Sequence, residues 1–580
     1  MVLPGATPRP GALPEAALRS GPSTARLLAG YGLGALTLLW PALSCPGRLL
    51  PGAARSDLWN SLWSLWFVQS SLAAGRMPLH TALLGFPDGG RLFVADPVND
   101  LLGAPLVPLA GVPGAYLALV FAHLVLSAWA AHRLAEALVG EGSPAAWLAG
   151  FAYQAAPIVL SAFHGGTSEA IGAGWLPLAL LTALAVLRHG GIGRGAAAGL
   201  ALALAGWGNW YYGITAFIGV GVLLVVGEGE GSWRARALRL GPPLLLGAAL
   251  CAPLAWLQGT ASIGADNLVG IKGLAEVAIL RRTTGPADPL AYLLPWSYRS
   301  PDFRLLSRYG EDFVHCPYLG WVLLVLAGAG LSRSGRRRGL WLAIAAAVAG
   351  LLSLGPVLVH HGSALLLPGD RVVPLPYLAL ERLPGFDRLS LLFRFGLLPA
   401  LGAAVLAADG LARIGGARGR WVLLATLLAV GELRLLSPLH GLPAWSEVPD
   451  QAPFRALARA HPGAVMNFPV VGGRPYLYEQ TLHGKPLTGG LNFTEGGASR
   501  AVWRALITYA PRAAAEPEVF AAAVRAAACS RGIGYLVLHD DTVARPDQHA
   551  PGAAAARARL PVLVEGEGVQ IVELCPGGSG

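Results

Sequence analysis

A carboxylate at the head of a tryptophan-rich stretch is the residue in this sequence best placed for acid–base chemistry. Asp57 stands in Arg55-Ser56-Asp57-Leu58-Trp59-Asn60, ahead of Trp63, Trp66 and Phe67. Tryptophans and leucines so close together predict a short helix lying in a membrane interface, parallel to its plane, with Asp57 at headgroup height. The same stretch continues through Phe86-Pro87-Asp88-Gly89-Gly90 and Asp96-Pro97-Val98-Asn99-Asp100, where ordinary Asx turns are the plainer reading of the acids. His164-Gly165-Gly166-Thr167-Ser168-Glu169 sets a histidine and a glutamate on one short turn. That pair could share a proton or ligate a metal, against the plainer reading of a helix cap beside a solvated histidine. Arg281, Arg282, Arg388 and Arg394 supply the cationic, planar donors that a phosphate needs. Arg394 falls about two turns into an apolar run, an expensive place unless it faces a cavity or partner, or snorkels to the interface. His123, within another apolar run, reads most simply as a neutral buried side chain.

What must position these residues is a membrane. The chain has 580 residues, of which 54% are hydrophobic and 13% charged, about half the charged share of an ordinary soluble chain. Mean hydropathy is +0.53. The net charge of +10 comes almost wholly from arginine, in short connections between apolar runs, which is a topology signal and not a nucleic-acid stripe. Apolar segments at about 27–44, 114–139, 145–163, 170–187, 195–208, 211–226, 238–257, 317–332, 339–359, 389–412 and 421–436 predict about eleven spans. Residues 195–226 as one helix would reach roughly 48 Å, too long for a 30 Å hydrocarbon core. The interruption Gly206-Trp207-Gly208-Asn209-Trp210-Tyr211-Tyr212-Gly213 is therefore read as an interfacial turn. With the N-terminus inside, Arg133, Arg188, Arg194, Arg234, Arg236, Arg239, Arg333, Arg336, Arg337, Arg338, Arg413, Arg418 and Arg420 all fall on the cytoplasmic side.

The expected fold class is mainly α: a polytopic transmembrane helix bundle, N-in and C-out, with a small C-terminal extracytoplasmic α/β domain. Residues 1–25, with Arg9 and Arg19, form a flexible cytoplasmic tail. Residues 26–436 form the membrane domain, with external loops 45–113, 258–316 and 360–388, the second carrying Trp296, Tyr298, Asp302 and Arg304. In 437–580, strand patterns at 464–468, 535–539 and 569–574 alternate with helical patterns near 451–460, 500–509 and 515–529. Five cysteines make no disulfide framework. Cys529 and Cys575 are open to two readings, a pair in an exported domain or two small hydrophobes. Cys45 follows an apolar run without a cleavage site, so that run is a retained span. No Walker loop, HExxH, GxSxG or CxxC is present, which leaves nucleotide-driven transport and familiar hydrolytic chemistries without support.

In the order of these motifs the chain resembles the GT-C superfamily of polytopic membrane glycosyltransferases, closest to bacterial members with a C-terminal extracytoplasmic domain. The resemblance rests on the acidic first loop and its helix, and on Phe86-Pro87-Asp88-Gly89, His164-Gly165 and Asn209-Trp210-Tyr211-Tyr212-Gly213. It rests also on Pro384-Gly385-Phe386 through Arg394-Phe395, Asn467-Phe468-Pro469 and Gln480-Thr481-Leu482-His483-Gly484-Lys485-Pro486. It implies transfer of a sugar from a polyprenyl-phosphate carrier to a glycan, lipid or protein acceptor outside the cytoplasm of a bacterial inner membrane. Asp57 would be the general base. Arg281, Arg282, Arg388, Arg394, His164, Glu169, Asn209, Tyr211 and Asp96 would bind substrate. No cofactor is implied with certainty, and a divalent metal is left open. Many members carry adjacent acids in the first loop, whereas Leu58 follows Asp57 here. A transporter or polymerase of exported lipid-linked glycans, or a non-catalytic membrane assembly protein, are the alternatives; only an enzyme requires arginines to converge on Asp57.

Overall fold

The computed structural model describes residues 23–45, 47–54, 56–92, 96–228, 231–261, 268, 274–295, 314–332, 339–414, 419–436, 444–469, 475–489, 497–540 and 546–575. Arg9, Arg19, Arg55, Lys272, Trp296, Tyr298, Asp302, Arg304, Arg333, Arg336, Arg337, Arg338 and Arg418 lie outside the described residues.

Helices dominate, and their apolar surfaces face outward as well as inward. Pro97–Val139, Ala146–His164, Trp233–Thr260 and Leu392–Arg413 are long and apolar enough to cross a membrane. Trp175–His189, Trp210–Val226, Trp321–Leu331 and Leu340–Ser353 are shorter apolar helices. Leu238, Leu245 and Trp256 on one helix and Leu423 and Leu427 on another are exposed, an outer surface suited to lipid and not to water. The protein is a multi-pass integral membrane protein.

Four helices set the site. α1 (Leu58–Ala73) follows Asp57; α2 (Ile192–Gly208) and α3 (Trp210–Val226) form a hairpin; α4 (Leu397–Arg413) is buried on all sides from Leu397 to Leu411 and so occupies the centre of the bundle. The hairpin breaks at Asn209, as the glycines and aromatics around it predict. Asn209 caps α3 by accepting from the Tyr211 amide at 3.0 Å. A Cβ on Gly213 would lie 2.5 Å from the Gly206 Cα, so the two helices meet backbone to backbone.

Three expectations need correction. The run 145–163 is two helices, Ala146–Gln154 and Pro157–His164, because Pro157 has no amide to continue the first. Arg394 is not two turns into an α-helix. It lies in a 3₁₀ turn, Leu392–Gly396, that precedes α4, and the Leu391 amide is spent on the Tyr211 hydroxyl at 2.8 Å. Nor do the first two tryptophans of α1 face lipid. Trp59 and Trp63 are 1% and 0% exposed, packed under the C-terminal region.

Three of the connecting arginines, Arg188, Arg236 and Arg239, meet at one end of their helices. Arg188 pairs with Glu228 at 2.5 Å, Arg239 donates to the Leu187 carbonyl, and Arg236 reaches the Leu224 and Val225 carbonyls. The Asn209 turn is at the opposite end of the same helices.

Beyond the last bundle helix, β1 (Leu49–Pro51) pairs antiparallel with β2 (Trp445–Glu447). The C-terminal sheet consists of β3 (Ala464–Phe468), β4 (Ile533–His539), β5 (Val562–Gly566) and β6 (Val569–Glu573), in the order β5-β6-β4-β3. β3 and β4 are parallel; the other pairs are antiparallel. One face is covered by α5 (Pro475–His483), the other by α6 (Gly497–Tyr509), α7 (Pro517–Cys529) and α8 (Pro546–Arg559). Two strands and two helices here escape the sequence patterns: β2, β5, α5 and α8. Cys529 and Cys575 are bonded to each other, which settles the two readings in favour of the pair.

The C-terminal sheet and the first loop are built into one another. Leu487 bridges to Val465 on β3; its amide donates to the Leu83 carbonyl, and its carbonyl accepts from Phe86. Gln480 on α5 fastens the joint. It accepts from Trp63 Nε1 at 2.6 Å and donates to the Leu83 and Lys485 carbonyls at 2.6 and 3.0 Å. It is fully buried, as are its partners Trp63 and Lys485, and Leu83 is half-buried. Gln480→Leu keeps the volume but leaves these groups unpaired, at about 1–3 kcal/mol for each. The purified variant should melt several degrees below the parental protein in a thermal scan; an unchanged midpoint would remove Gln480 from this role.

Candidate functional site

Asp57 is placed by a close backbone approach. Its amide donates to the Gly165 carbonyl at 3.1 Å, and the Ala53 amide donates to the His164 carbonyl at 2.7 Å. Ser61 Oγ donates to the Gly166 carbonyl at 2.7 Å and accepts from the Ser168 amide at 3.1 Å. Gly166 has φ +58°, and a Cβ there would lie 2.6 Å from the Leu58 Cβ and 2.7 Å from its Cα. Only glycine admits both the backbone conformation and the contact. The Asp57 carboxylate is partly exposed and accepts from Asn60 Nδ2 at 3.1 Å.

The same turn delivers Glu169. Its Oε1 lies 3.4 Å from Arg394 Nη1, and the guanidinium carbon sits 5.6 Å from the centre of the Tyr211 ring. Tyr211 packs edge-on against Phe395 at 5.6 Å, while Tyr212 Oη donates to the Ala170 carbonyl at 2.9 Å. Burial pushes the Glu169 carboxyl above its usual range; the Arg394 charge opposes this and the Asp57 charge adds to it. Asp57, Glu169 and Arg394 are thus electrostatic neighbours, brought together from three separate parts of the chain.

Behind them lies a buried acid. Asp96 caps the short helix Pro97–Gly103, its Oδ1 accepting from the Asn99 amide at 3.0 Å. Its Oδ2 is buried and has no hydrogen-bond partner among the described residues. Burial pushes the Asp96 carboxyl up to about 7, with the Glu169 charge adding to the rise and hydrogen bonds from Asn99 and Ser168 opposing it. Asn99 links this acid to its surroundings, donating to the Ser168 carbonyl at 2.9 Å and meeting His123 Nε2 at 2.5 Å. His123 is thereby the buried, hydrogen-bonded histidine that its position predicts.

The remaining candidates go elsewhere. Arg281 and Arg282 both pair with Glu381 at 2.7 Å. Arg281 also donates to the Asp387 carbonyl at 2.6 Å, so these two cations brace the 381–389 segment and do not reach Asp57. Arg388 is exposed on that segment. His164 Nδ1 accepts from the Ala444 amide at 3.2 Å, which makes the ring part of the joint to the C-terminal region. Asn209 acts through its cap on the Tyr211 helix. Ser61, Asn99 and Tyr212 were not singled out from sequence. Pro97, which marks Asp96 as an N-cap, is the local signal that bears on this set, since Asn99 supplies the amide that the cap accepts.

No three His, Cys, Asp or Glu side chains come together with metal-ligating geometry among the described residues, and the one acid that meets a partner charge meets an arginine. The chemistry open to the site is that of a carboxylate base beside a partly shielded cation.

No protein-family model and no curated protein matches this chain. Its fold is similar to that of ArnT from Cupriavidus metallidurans, solved bound to undecaprenyl phosphate. The TM-score is 0.51, with 14% identity over 96% of this chain and 100% of that one. It is also similar to the arabinofuranosyltransferase AftD from Mycobacteria, with TM-score 0.50 and 20% identity over 90% of this chain. This chain spans 36% of the length of AftD. At this identity the likeness is one of fold, and the mainly helical membrane fold expected from the sequence is shared with both.

Because Asp96 has a folded-state pKa near 7, above the ordinary carboxylate value of about 3.9, the folded state binds its proton more tightly than the unfolded state does. This contribution favours folding below about pH 4 and is lost as pH rises to about 7. Asp96→Asn mimics the protonated acid. The variant should therefore gain thermal stability over the parental protein at pH 7.5 and lose that advantage at pH 4.5. An advantage independent of pH would show that Asp96 ionises normally.

Proposed function

We propose that the chain is a membrane glycosyltransferase that moves a sugar from a polyprenyl-phosphate carrier to an acceptor on the extracytoplasmic face. The observation that carries this reading is the meeting of Asp57, Glu169 and Arg394 at the end of the bundle opposite Arg188, Arg236 and Arg239. A transporter or an assembly protein would have no need of that meeting. The undecaprenyl phosphate bound by ArnT supports a lipid phosphate as the donor's leaving group.

The Asp57 carboxylate takes the proton of an acceptor hydroxyl as its oxygen forms a bond to the anomeric carbon. The bond from that carbon to the carrier phosphate breaks, and the phosphate leaves with the electron pair. Inversion follows from attack on the face opposite the departing group. Arg394 faces the charge that develops on the phosphate. At 3.4 Å its contact with Glu169 is longer than a tight charge-assisted hydrogen bond, so the guanidinium can exchange that partner for a phosphate oxygen. Tyr211 and the Leu391 amide fix where the guanidinium stands.

Asp57→Asn keeps the shape and removes the basicity. With an undecaprenyl-phosphate sugar as donor, turnover should fall about 10²–10⁴-fold while the variant inserts and melts as the parental protein does. Arg394→Ala should weaken binding of undecaprenyl phosphate as well as turnover. Transfer at the parental rate by Asp57→Asn would make Asp57 a loop acid only.

Orientation is tested separately, with reporter fusions to the full membrane domain. Fusions after residues 190, 235, 335 and 416 should report cytoplasm, and fusions after 300 and 445 the exterior. A cytoplasmic report at 445 overturns the C-out topology and, with it, transfer on the outer face.

A further inference from the structure

The C-terminal sheet contains a second polar cluster, well away from Asp57 in sequence and built by different elements. β3 and β4 are adjacent and parallel, and the helices that follow them in the chain, α5 and α8, lie on opposite faces of the sheet. After β3 the chain passes to α5, whose Tyr476, Leu477 and Tyr478 pack on the face formed by Val465, Tyr535 and Val537. After β4 it passes to α8, whose Ala556 joins Met466, Phe468, Leu536 and Leu538 on the other face. Where the connections of neighbouring parallel strands part in this way, a crevice opens outside their carboxyl ends. Such a crevice is the usual ligand position in open α/β sheets.

The residues at that crevice are polar. Asn467 and His539 are near or at the carboxyl ends of their strands, and on the face toward α5. His539 Nε2 lies 3.0 Å from Asn467 Oδ1 and 3.5 Å from Glu479 Oε2. Glu479, on α5, is 3% exposed, and its Oε2 has no hydrogen-bond partner among the described residues. A buried carboxyl left without a hydrogen bond is costly, and the cost is recovered if a ligand supplies the bond. The Tyr476 ring stands 6.4 Å from the imidazole and forms an apolar wall beside these groups.

Charge narrows the ligand. Burial pushes the Glu479 carboxyl well above the carboxylate range. Burial, with the Arg557 charge, pulls the His539 imidazole down to about 4. Both shifts disfavour charge in this cluster, and Arg557 is itself engaged by Asp540. Nothing in this cluster would repay the desolvation of a phosphate or carboxylate. An amide, a carboxyl and an imidazole in alternating donor and acceptor roles, beside an aromatic ring, suit vicinal hydroxyls and a sugar's C–H face.

We propose that this crevice binds a neutral sugar residue of a carbohydrate ligand, with Asn467, Glu479 and His539 as its polar contacts and Tyr476 as its apolar wall. The site is separate from the cluster of Asp57 and Arg394, and the inference does not rest on the transfer reaction.

The test uses the full chain in lipid nanodiscs, free of glycoside detergent. Saturation-transfer NMR is recorded with methyl α-D-mannopyranoside, methyl α-D-glucopyranoside and methyl β-D-galactopyranoside, and with glucose 1-phosphate as a charged comparator. At least one methyl glycoside should receive saturation, and glucose 1-phosphate less. Asn467→Asp, at a partly exposed position, and Glu479→Ala should each lower the apparent affinity about tenfold or more, with melting curves that check folding; if Glu479→Ala fails to fold, Asn467→Asp decides. Asp57→Asn should leave the signal in place whether or not transfer itself is lost. Absence of saturation on all three glycosides, stronger binding of glucose 1-phosphate, retention of the signal in Asn467→Asp, or its loss in Asp57→Asn would each overturn the proposal.

Discussion

The structure depends most on a contact with no side chain on one of its sides. Gly166 presses against Leu58 so closely that a methyl group would overlap the Leu58 backbone, and its φ of +58° suits glycine. From that contact follow the hydrogen bonds that join the two segments: Ala53 to His164, Asp57 to Gly165, and Ser61 to Gly166 and Ser168. These fix Asp57 relative to Glu169, three residues beyond the glycine. Arg394 arrives independently, held by the Tyr211 ring and by the bond between the Leu391 amide and Tyr211 Oη. A reacting pair misplaced by about an ångström loses most of its catalytic advantage. Backbone-to-backbone contact is the stiffest way to prevent that, since no rotamer intervenes.

The C-terminal region extends this restraint and is not an appendage. β1 and β2 clamp the chain before Asp57, and Leu83 and Phe86 hydrogen-bond to Leu487 beside the sheet. Trp63, two residues on from Ser61, is locked by Gln480. The helix that follows Asp57 is therefore held from the membrane side by the 164–169 turn and from the other side by α5. The disulfide closes Cys575 onto Cys529 at the end of α7, beneath the same sheet. Constraining a loop of 46 residues reduces the freedom of the unfolded chain by about 4 kcal/mol on the loop-closure model.

How much of this the sequence discloses depends on the range of each interaction. The break at Asn209 is legible because it is local, lying between glycines and aromatics, whereas the helix start at Pro97 is hidden in what reads as an Asx turn. Asp57, Glu169, Asn209, Tyr211 and Arg394 could be singled out by residue type and place. Partnership is not legible. Arg281 and Arg394 are equally good cations in the sequence; only the fold shows that Glu381 takes one and leaves the other beside Glu169. The tryptophans of α1 mislead for a similar reason, because a membrane interface and a protein interface ask for the same aromatic surface. The Gln480-Thr481-Leu482-His483-Gly484-Lys485-Pro486 motif also changes meaning: its glutamine satisfies buried groups and its lysine donates to the Ala460 and His461 carbonyls. Both are architectural contacts.

The charge balance at the site also explains why the cation need not be locked to its acid. Asp57 and Glu169 lie near one arginine with Asp96 behind Glu169, and burial raises the carboxyls of Glu169 and Asp96. The ensemble therefore holds protons more readily than exposed acids would, which limits the buried negative charge that Arg394 must offset. In the proposed reaction a carrier phosphate adds negative charge beside Arg394. Its field further favours the protonated form of Glu169, whose claim on the guanidinium weakens as the phosphate's strengthens. Asp57, partly exposed at the head of α1, is the proposed base. The same burial that makes Glu169 a weak partner for Arg394 thus assigns the acids different tasks within a few residues of one glycine.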